Sequence, residues 1–369
     1  MGSCGAIWQT AGVTENSEIG LGATIAGKYL IESGLGSGGM GTVLRAQAIG
    51  LHQTVAIKVM HRELLDVEDA TKRFFYEGHA TSMLKSPHVL RIYEMGTLPS
   101  GTPFMVMELL EGIDLGTMVA ARGPLPLERV LHYLLQATDA IAEAHENGII
   151  HRDIKPRNLF LNKDNVIKVV DFGLAKTLRP RSDGSAPVSA RTSPNVLLGS
   201  PNYMSPEQLM PNKSVDERTD IYCLGATMYQ LLAGEPLFTA ANFPALIKLI
   251  LTTEPPRVSN RRPDIPPIVD DVIEQCVRKN PDERYRSISA LQNSLLHLKS
   301  VAERIPVVRP HTGAEGATMP ADQLPMLPPV ITGAEQPTSR SWSGEDEPTQ
   351  TSLPEAPESD RDLTAPFKR

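Results

Sequence analysis

Two clusters of residues have the types and spacing to do chemistry. The first is Gly34-Leu35-Gly36-Ser37-Gly38-Gly39-Met40-Gly41-Thr42-Val43, which fits G-x-G-x-x-G in two registers. That spacing alone describes a Gly/Ser-rich hairpin turn as well as it describes a phosphate cradle. Context separates the two. A dinucleotide-binding loop opens a helix, whereas here Val43-Leu44-Arg45-Ala46 follows, and then a second strand-like run, Thr54 to Met60. The loop therefore joins two antiparallel strands, which suits a flap folded over phosphates. Glycines let backbone N–H groups approach an anion without a Cβ clash, and Val43 would lie over a nucleotide base. The second cluster is His151-Arg152-Asp153-Ile154-Lys155-Pro156-Arg157-Asn158. A carboxylate, an amine two residues on and an amide five residues on are hard to explain by packing. Asp171-Phe172-Gly173 begins 13 residues after Asn158. A decoy stands upstream, where Gly22 to Gly27-Lys28-Tyr29 nearly spells a P-loop. Tyr29 replaces the required hydroxyl residue, and strand-like Leu30-Ile31 follows where a helix must start.

The elements that must position these clusters change character along the chain. From Lys28 to Leu110 strand signals dominate: Tyr29 to Ile31, Thr42 to Leu44, Thr54 to Met60, Leu90 to Glu94 and Phe104 to Glu108. One helical segment, Asp69 to Leu84, interrupts them. From Leu115 to Leu298 the pattern is helical. Its longest stretch sets Leu127, Val130, Leu131, Leu134, Thr138, Ile141 and His145 on one face and stops at Asn147-Gly148. A strand-rich part followed by a helix-rich part predicts an α+β fold in two unequal lobes.

Composition excludes several classes. No apolar run approaches the roughly 18 residues that span a bilayer, and no secretory signal opens the chain. Cys4, Cys223 and Cys276 are too few and too scattered for a disulfide framework or a zinc site, which points to a reducing, cytoplasmic setting. Net charge is −7 with no basic block, so no nucleic-acid partner is expected. Eleven of the 31 prolines fall in residues 299–369, whose only aromatics are Trp342 and Phe367. That composition cannot bury enough apolar area to offset chain entropy, so the tail is predicted to be disordered. Residues 1–27, polar and rich in Gly and Thr, are predicted to be a flexible leader.

The chain resembles the eukaryotic-type (Hanks-type) protein kinase family, specifically its bacterial serine/threonine members, over about residues 29–298. The motifs occur in order: Gly36, Gly38, Gly41 and Val43; Val55-Ala56-Ile57-Lys58; Glu77 in the first helix; Phe104 to Leu110; His151 to Asn158; Asp171-Phe172-Gly173; and Gly199-Ser200 to Ser205-Pro206-Glu207. The resemblance implies a bilobal kinase fold within residues 28–298, with a small lobe over 28–110 and a large lobe over 111–298. It implies an ATP site formed by Leu35, Gly36, Gly38, Gly39, Gly41, Val43, Ala56, Lys58, Met107, Glu108, Leu110 and Phe160. Met107 would stand beside the adenine, which would bond the carbonyl of Glu108 and the amide of Leu110. Lys58, held by Glu77, would grip the α/β-phosphates. Asp153 would accept or orient the hydroxyl proton, and Lys155 would neutralise charge developing on the γ-phosphate. Asn158 and Asp171 would hold Mg²⁺, with Mn²⁺ as a substitute. His151 is expected to be structural.

Further implications concern the scaffold and regulation. Glu207 would pair with Arg284 inside the large lobe, and Asp220 would brace the catalytic-loop backbone. Ser200, together with Lys155-Pro156, matches the serine/threonine pattern, although an Arg157-Asn158 pair also occurs in tyrosine kinases. The 37 residues from Asp171 to Glu207 carry an Arg/Ser/Pro-rich insert, Thr177 to Asn195. Thr192 and Ser193 within it are candidate phosphosites that Arg152 would pair with once phosphorylated. The expected partners are ATP, protein substrates and, for autophosphorylation in trans, a second copy in a transient dimer. The rival reading is a catalytically weak scaffold, which predicts loss of Lys58, Asp153, Asn158 or Asp171; all four are present.

Overall fold

The computed structural model describes residues 18–67, 69–172, 201–210 and 213–304. The first lobe is a six-stranded sheet: β1 (Thr24–Ile25), β2 (Tyr29–Ser37), β3 (Gly41–Ala48), β4 (Gln53–Met60), β5 (Ile92–Thr97) and β6 (Pro103–Glu108). Its order is β1-β2-β3-β4-β6-β5, with every pair antiparallel. The central strands β3, β4 and β6 are buried on both faces, and strand alternation decides which residues go where. Val55, Ile57 and Val59 of β4 join Ile31, Leu44, Ala46, Phe104 and Val106 in a core on one face. On the other face Ala56 joins Val43 and Met107. Register places Val43 opposite Lys58, and Ala56 opposite Met107, so these four residues share the face that looks into the site. A one-residue slip of β4 would turn Lys58 into the other core.

Helix α1 (Ala70–Ser82) packs on this second face. Phe74 meets Met60 and Met105 there. Gly78 allows the approach, since a Cβ at that position would come within 2.3 Å of the Met95 sulfur and 2.6 Å of Met105 Cε.

Two sequence expectations are corrected here. The leader expected over 1–27 is structured in its last part. Lys28 N donates to Ile25 O across a turn whose central residues, Ala26 and Gly27, both have positive φ, the geometry that suits tight hairpins. Ile25 is fully buried and Ile19 and Ala23 pack beside it. Burying an isoleucine contributes roughly 1.5–3 kcal/mol, and main-chain bonds from Gly22 N to Ile31 O and from Ile31 N to Ala23 O fasten the segment to β2 as well. The same turn shows Gly27-Lys28 to be a hairpin rather than a P-loop. The strand expected at Leu90–Glu94 instead runs from Ile92 to Thr97, because Leu90 N donates to Val169 O and its neighbour Val89 bridges to Val169.

The second lobe is helical. Its elements are β7 (Gly112–Asp114), α2 (Leu115–Arg122), α3 (Leu127–Glu146), β8 (Leu159–Asn162), β9 (Ile167–Val169), α4 (Pro206–Leu209), α5 (Arg218–Ala233), α6 (Phe243–Thr252), α7 (Pro267–Cys276) and α8 (Ile288–Ala302). The predicted face of α3 is the buried one, with Val130, Leu131, Leu134, Ala137, Thr138, Ile141 and Ala144 turned inward. Helix α5 is buried without a break from Thr219 to Tyr229, as a helix at the centre of a lobe must be. Strands β7, β8 and β9 form a small sheet that carries the segments on either side of the site. No helix among the described residues is long and apolar enough to cross a membrane.

Candidate active site

The site lies where the two lobes meet, and its apolar part comes first. Val43 from β3, Ala56 from β4, Met107 from the end of β6, Leu110 just beyond it, and Phe160 from β8 form one cluster with Leu35 against its edge. All six are residues expected to surround a nucleotide base. Leu90, Val170, Ile92 and Leu109 complete the cluster and were not anticipated. Leu90 and Val170 arrive through the contact between the β5 approach and β9, a non-local pairing that no local spacing announces. Glu108 turns its side chain away from this slot. Its Oε1 accepts from Lys168 Nζ at 2.7 Å and from Arg91 N at 2.7 Å, which fixes the chain where one lobe passes into the other.

The charged part adjoins it. Lys58 Nζ lies 3.2 Å from Glu77 Oε1 and 3.1 Å from Asp171 Oδ1. Burial pulls the Lys58 ammonium down, but Asp171 and then Glu77 outweigh it and hold its pKa above the ordinary lysine value. For Glu77 burial wins over Lys58, and its carboxyl is raised. For Asp171 burial also pushes upward, but Lys58 overrides it and the carboxyl is held low. Lys58 therefore stays cationic and Asp171 anionic. Asp171 holds a positive φ of 53°, a strained conformation for a non-glycine residue.

The catalytic-loop cluster is built from below. Asp220, fully buried in α5, accepts His151 N at 2.9 Å and Arg152 N at 2.7 Å. His145 Nε2 shares the same carboxylate at 2.8 Å. These bonds support Arg152 at φ 66° and turn the chain so that Asp153 follows. His151 is fully buried; its Nδ1 accepts from Asp153 N at 3.3 Å and its Nε2 faces Val170 O at 3.1 Å. With Nδ1 accepting and Nε2 donating, the ring is locked in place. Asp153 Oδ2 is 3.1 Å from Lys155 Nζ and 3.3 Å from Asn158 Nδ2. Asn158 Nδ2 also donates to Asp153 O at 2.8 Å, which leaves its amide oxygen as the free end. Phe172 is fully buried with its ring 4.8 Å from that of His151.

The large-lobe supports agree with the sequence expectation. Arg284 binds Glu207 through two bonds, at 2.7 and 2.8 Å, with both side chains buried. Burial pushes the Glu207 carboxyl up, and Arg284 more than offsets this, leaving it below the ordinary value. Gln208 Nε2 donates to Arg152 O at 2.8 Å, joining this pair to the catalytic loop. Gly173, Thr177 to Asn195 with the candidate phosphosites Thr192 and Ser193, and Gly199 and Ser200 lie outside the described residues.

A nucleotide fits these residues: an apolar slot for a base, a glycine turn and a cationic Lys58 for phosphates. A hard divalent cation fits as well, with a condition. Asp171 and the Asn158 amide oxygen supply oxygen donors, yet no group of three or more His, Cys, Asp or Glu among the described residues could hold a metal. An octahedral ion here must complete its shell with phosphate oxygens and water, which is how Mg²⁺ binds beside nucleotides.

Two lobes meeting at an apolar slot, with a carboxylate–lysine–asparagine loop beside it, define the architecture of a protein kinase. The protein kinase domain family model matches residues 29–296, and the chain belongs to that family. It is 36% identical over 288 residues to the serine/threonine-protein kinase pkn3 of Myxococcus xanthus, covering 76% of this chain and 52% of that protein. It is 32% identical over 315 residues to serine/threonine-protein kinase PknB of Mycolicibacterium smegmatis, covering 85% of this chain and 46% of that one. The chain thus spans about half the length of these curated relatives. The crystal structure of the Mycobacterium tuberculosis PknI kinase domain superposes with a TM-score of 0.59 at 27% identity, covering 75% of this chain and 98% of that one.

Proposed function

We propose that the chain transfers the γ-phosphoryl group of ATP to serine or threonine hydroxyls of proteins. The observation that carries the reading is the single constellation of Lys58, Glu77 and Asp171 with Asp153, Lys155 and Asn158 beside an apolar slot. Val43, Ala56 and Phe160 would enclose the base, and the main chain at Glu108 and Leu110 would meet its polar edge. Lys58, kept charged by its two carboxylates, holds the α- and β-phosphates. Asp153 orients the attacking hydroxyl and takes its proton as the hydroxyl oxygen bonds the γ-phosphorus, while the bond from that phosphorus to the bridging oxygen breaks and ADP leaves. Lys155, 3.1 Å from Asp153, is placed to meet the negative charge on the transferring group. Asp171 and Asn158 would hold the divalent ion, Mg²⁺ in this reading, and the ion would neutralise the phosphate oxygens. Positioning and charge neutralisation account for nearly all of the catalysis.

The same proposal covers regulation and setting. Phosphorylation at Thr192 or Ser193, by a second copy in a transient dimer, would give Arg152 a phosphate to bind. The Arg152 Nε, buried and without a partner among the described residues, supports that role. Ser200, on the substrate-facing loop, would contact Asp153 through its hydroxyl. The catalytic unit comprises the two lobes, extended at its front to include the β1 hairpin, with 299–369 mostly outside it. A cytoplasmic location suits an ATP-dependent enzyme. The test is incubation with γ-labelled ATP and Mg²⁺, wild type beside Asp153→Asn, with mapping of the labelled residues. Label on Ser or Thr that falls by about 10²-fold or more in Asp153→Asn is the expected result. Equal labelling of the two proteins overturns the assignment of Asp153.

A further inference from the structure

His61 stands one residue past β4 and belongs to none of the motifs above. Its main-chain N–H donates to Met40 O at 3.2 Å. Its ring Nε2 lies 2.8 Å from Gly38 O and 3.3 Å from Ser37 Oγ. A carbonyl can only accept, so Nε2 carries the hydrogen in this contact. One residue thus holds the carbonyls on both sides of Gly39. The Gly38 N–H is closed on Gly41 O at 2.9 Å, while the amides of Gly39 and Met40 have no hydrogen-bond partner among the described residues.

Gly38, Gly39 and Met40 form the whole turn between β2 and β3. Ordering a backbone residue costs roughly 1–2 kcal/mol, and glycine loses the most freedom. A turn rich in glycine is therefore costly to fix at the moment of binding unless something holds it beforehand. The His61 contacts do this, and they spend two carbonyls that would repel phosphate oxygens if they faced them. The unpaired Gly39 and Met40 amides are left for the anion.

We infer that His61 is a positioning residue for the nucleotide: it clamps the Gly38–Met40 turn and so tightens ATP binding without taking part in phosphoryl transfer. This rests on the kinase reading. The test measures Mg-ATP affinity directly by calorimetry, and KM and kcat for label transfer, in wild type, His61→Ala, His61→Asn and His61→Gln. The glutamine amide nitrogen stands the same number of bonds from Cα as the histidine Nε2, whereas the asparagine nitrogen falls short by one. His61→Ala and His61→Asn should weaken ATP binding and raise its KM about three- to tenfold, the effect of one net hydrogen bond. His61→Gln should return both to within about twofold, and kcat should be unchanged throughout. Equal affinity in the asparagine and glutamine variants overturns the clamp even if the alanine variant folds poorly, and so does a change confined to kcat. A wild type that binds no Mg-ATP overturns the nucleotide reading itself, an outcome distinct from these.

Discussion

Lys279 shows how single residues in this protein balance opposed effects. Its Nζ sits 4.6 Å above the Phe238 ring and has no hydrogen-bond partner among the described residues. The ring favours the ammonium, and Glu254 does so too, yet burial dominates and Arg284 adds to it, so the pKa falls to about 8. Between that value and the ordinary 10.5 the folded protein binds fewer protons than the unfolded chain. Stability therefore rises with pH across this window. Lys279→Met, which keeps the apolar contact and removes the charge, should flatten that slope and raise the melting temperature at pH 7 by about 2 °C. Scanning calorimetry from pH 7 to 10 checks both, and a steeper slope in the variant would contradict the account. At this scale the sequence was most legible where polar residues stand in fixed register. Lys58, Glu77, Asp153, Lys155, Asn158 and Asp171 come together as their motifs imply. Leu90, Val170 and His61 were not legible, because each reaches the site through a contact whose partner lies far along the chain or on a neighbouring strand.

Elements meet at positions where a side chain would not fit. Helix α5 carries Gly225 against α7, and a Cβ there would come within 2.4 Å of Cys276 Cβ and 2.9 Å of Val277 Cγ1. Those atoms lie close to the α7 backbone and cannot swing aside as a methionine end can. Gly225→Ala gains up to about 1 kcal/mol of helix propensity, but forcing the helices apart costs about 1–3 kcal/mol. The net result should be a destabilised large lobe, read as a lower denaturation midpoint at unchanged m-value. An unchanged or higher midpoint would show that α7 slides freely. The long helices were legible from periodicity, since α3 has ample length for a 3.6-residue pattern. The β1 hairpin was not, because two residues are too few to show a period and its signal is one buried isoleucine among glycines and threonines.

Across the whole molecule the catalytic loop is fastened to the interior. The amides of His151 and Arg152 end on Asp220, whose helix is the most completely buried in the large lobe. The turn Gly38–Met40, by contrast, is held at its Gly38 and Met40 carbonyls from one side, by His61 alone among the described residues. The two ends of the site therefore differ in how the molecule must open to release them. Amide hydrogen exchange reads this directly. The His151 and Arg152 amides should exchange only by global unfolding, with protection that falls in step with overall stability as denaturant is added. The Gly39 and Met40 amides should exchange at close to unprotected rates until Mg-ATP slows them. Fast exchange at His151 and Arg152 would mean that the loop detaches while the large lobe stays folded. With the loop held as described, the residues proposed to handle the hydroxyl and those proposed to cover the phosphates should wear out differently. Heating should erode nucleotide capture gradually, while the machinery for proton transfer persists until the lobe itself melts.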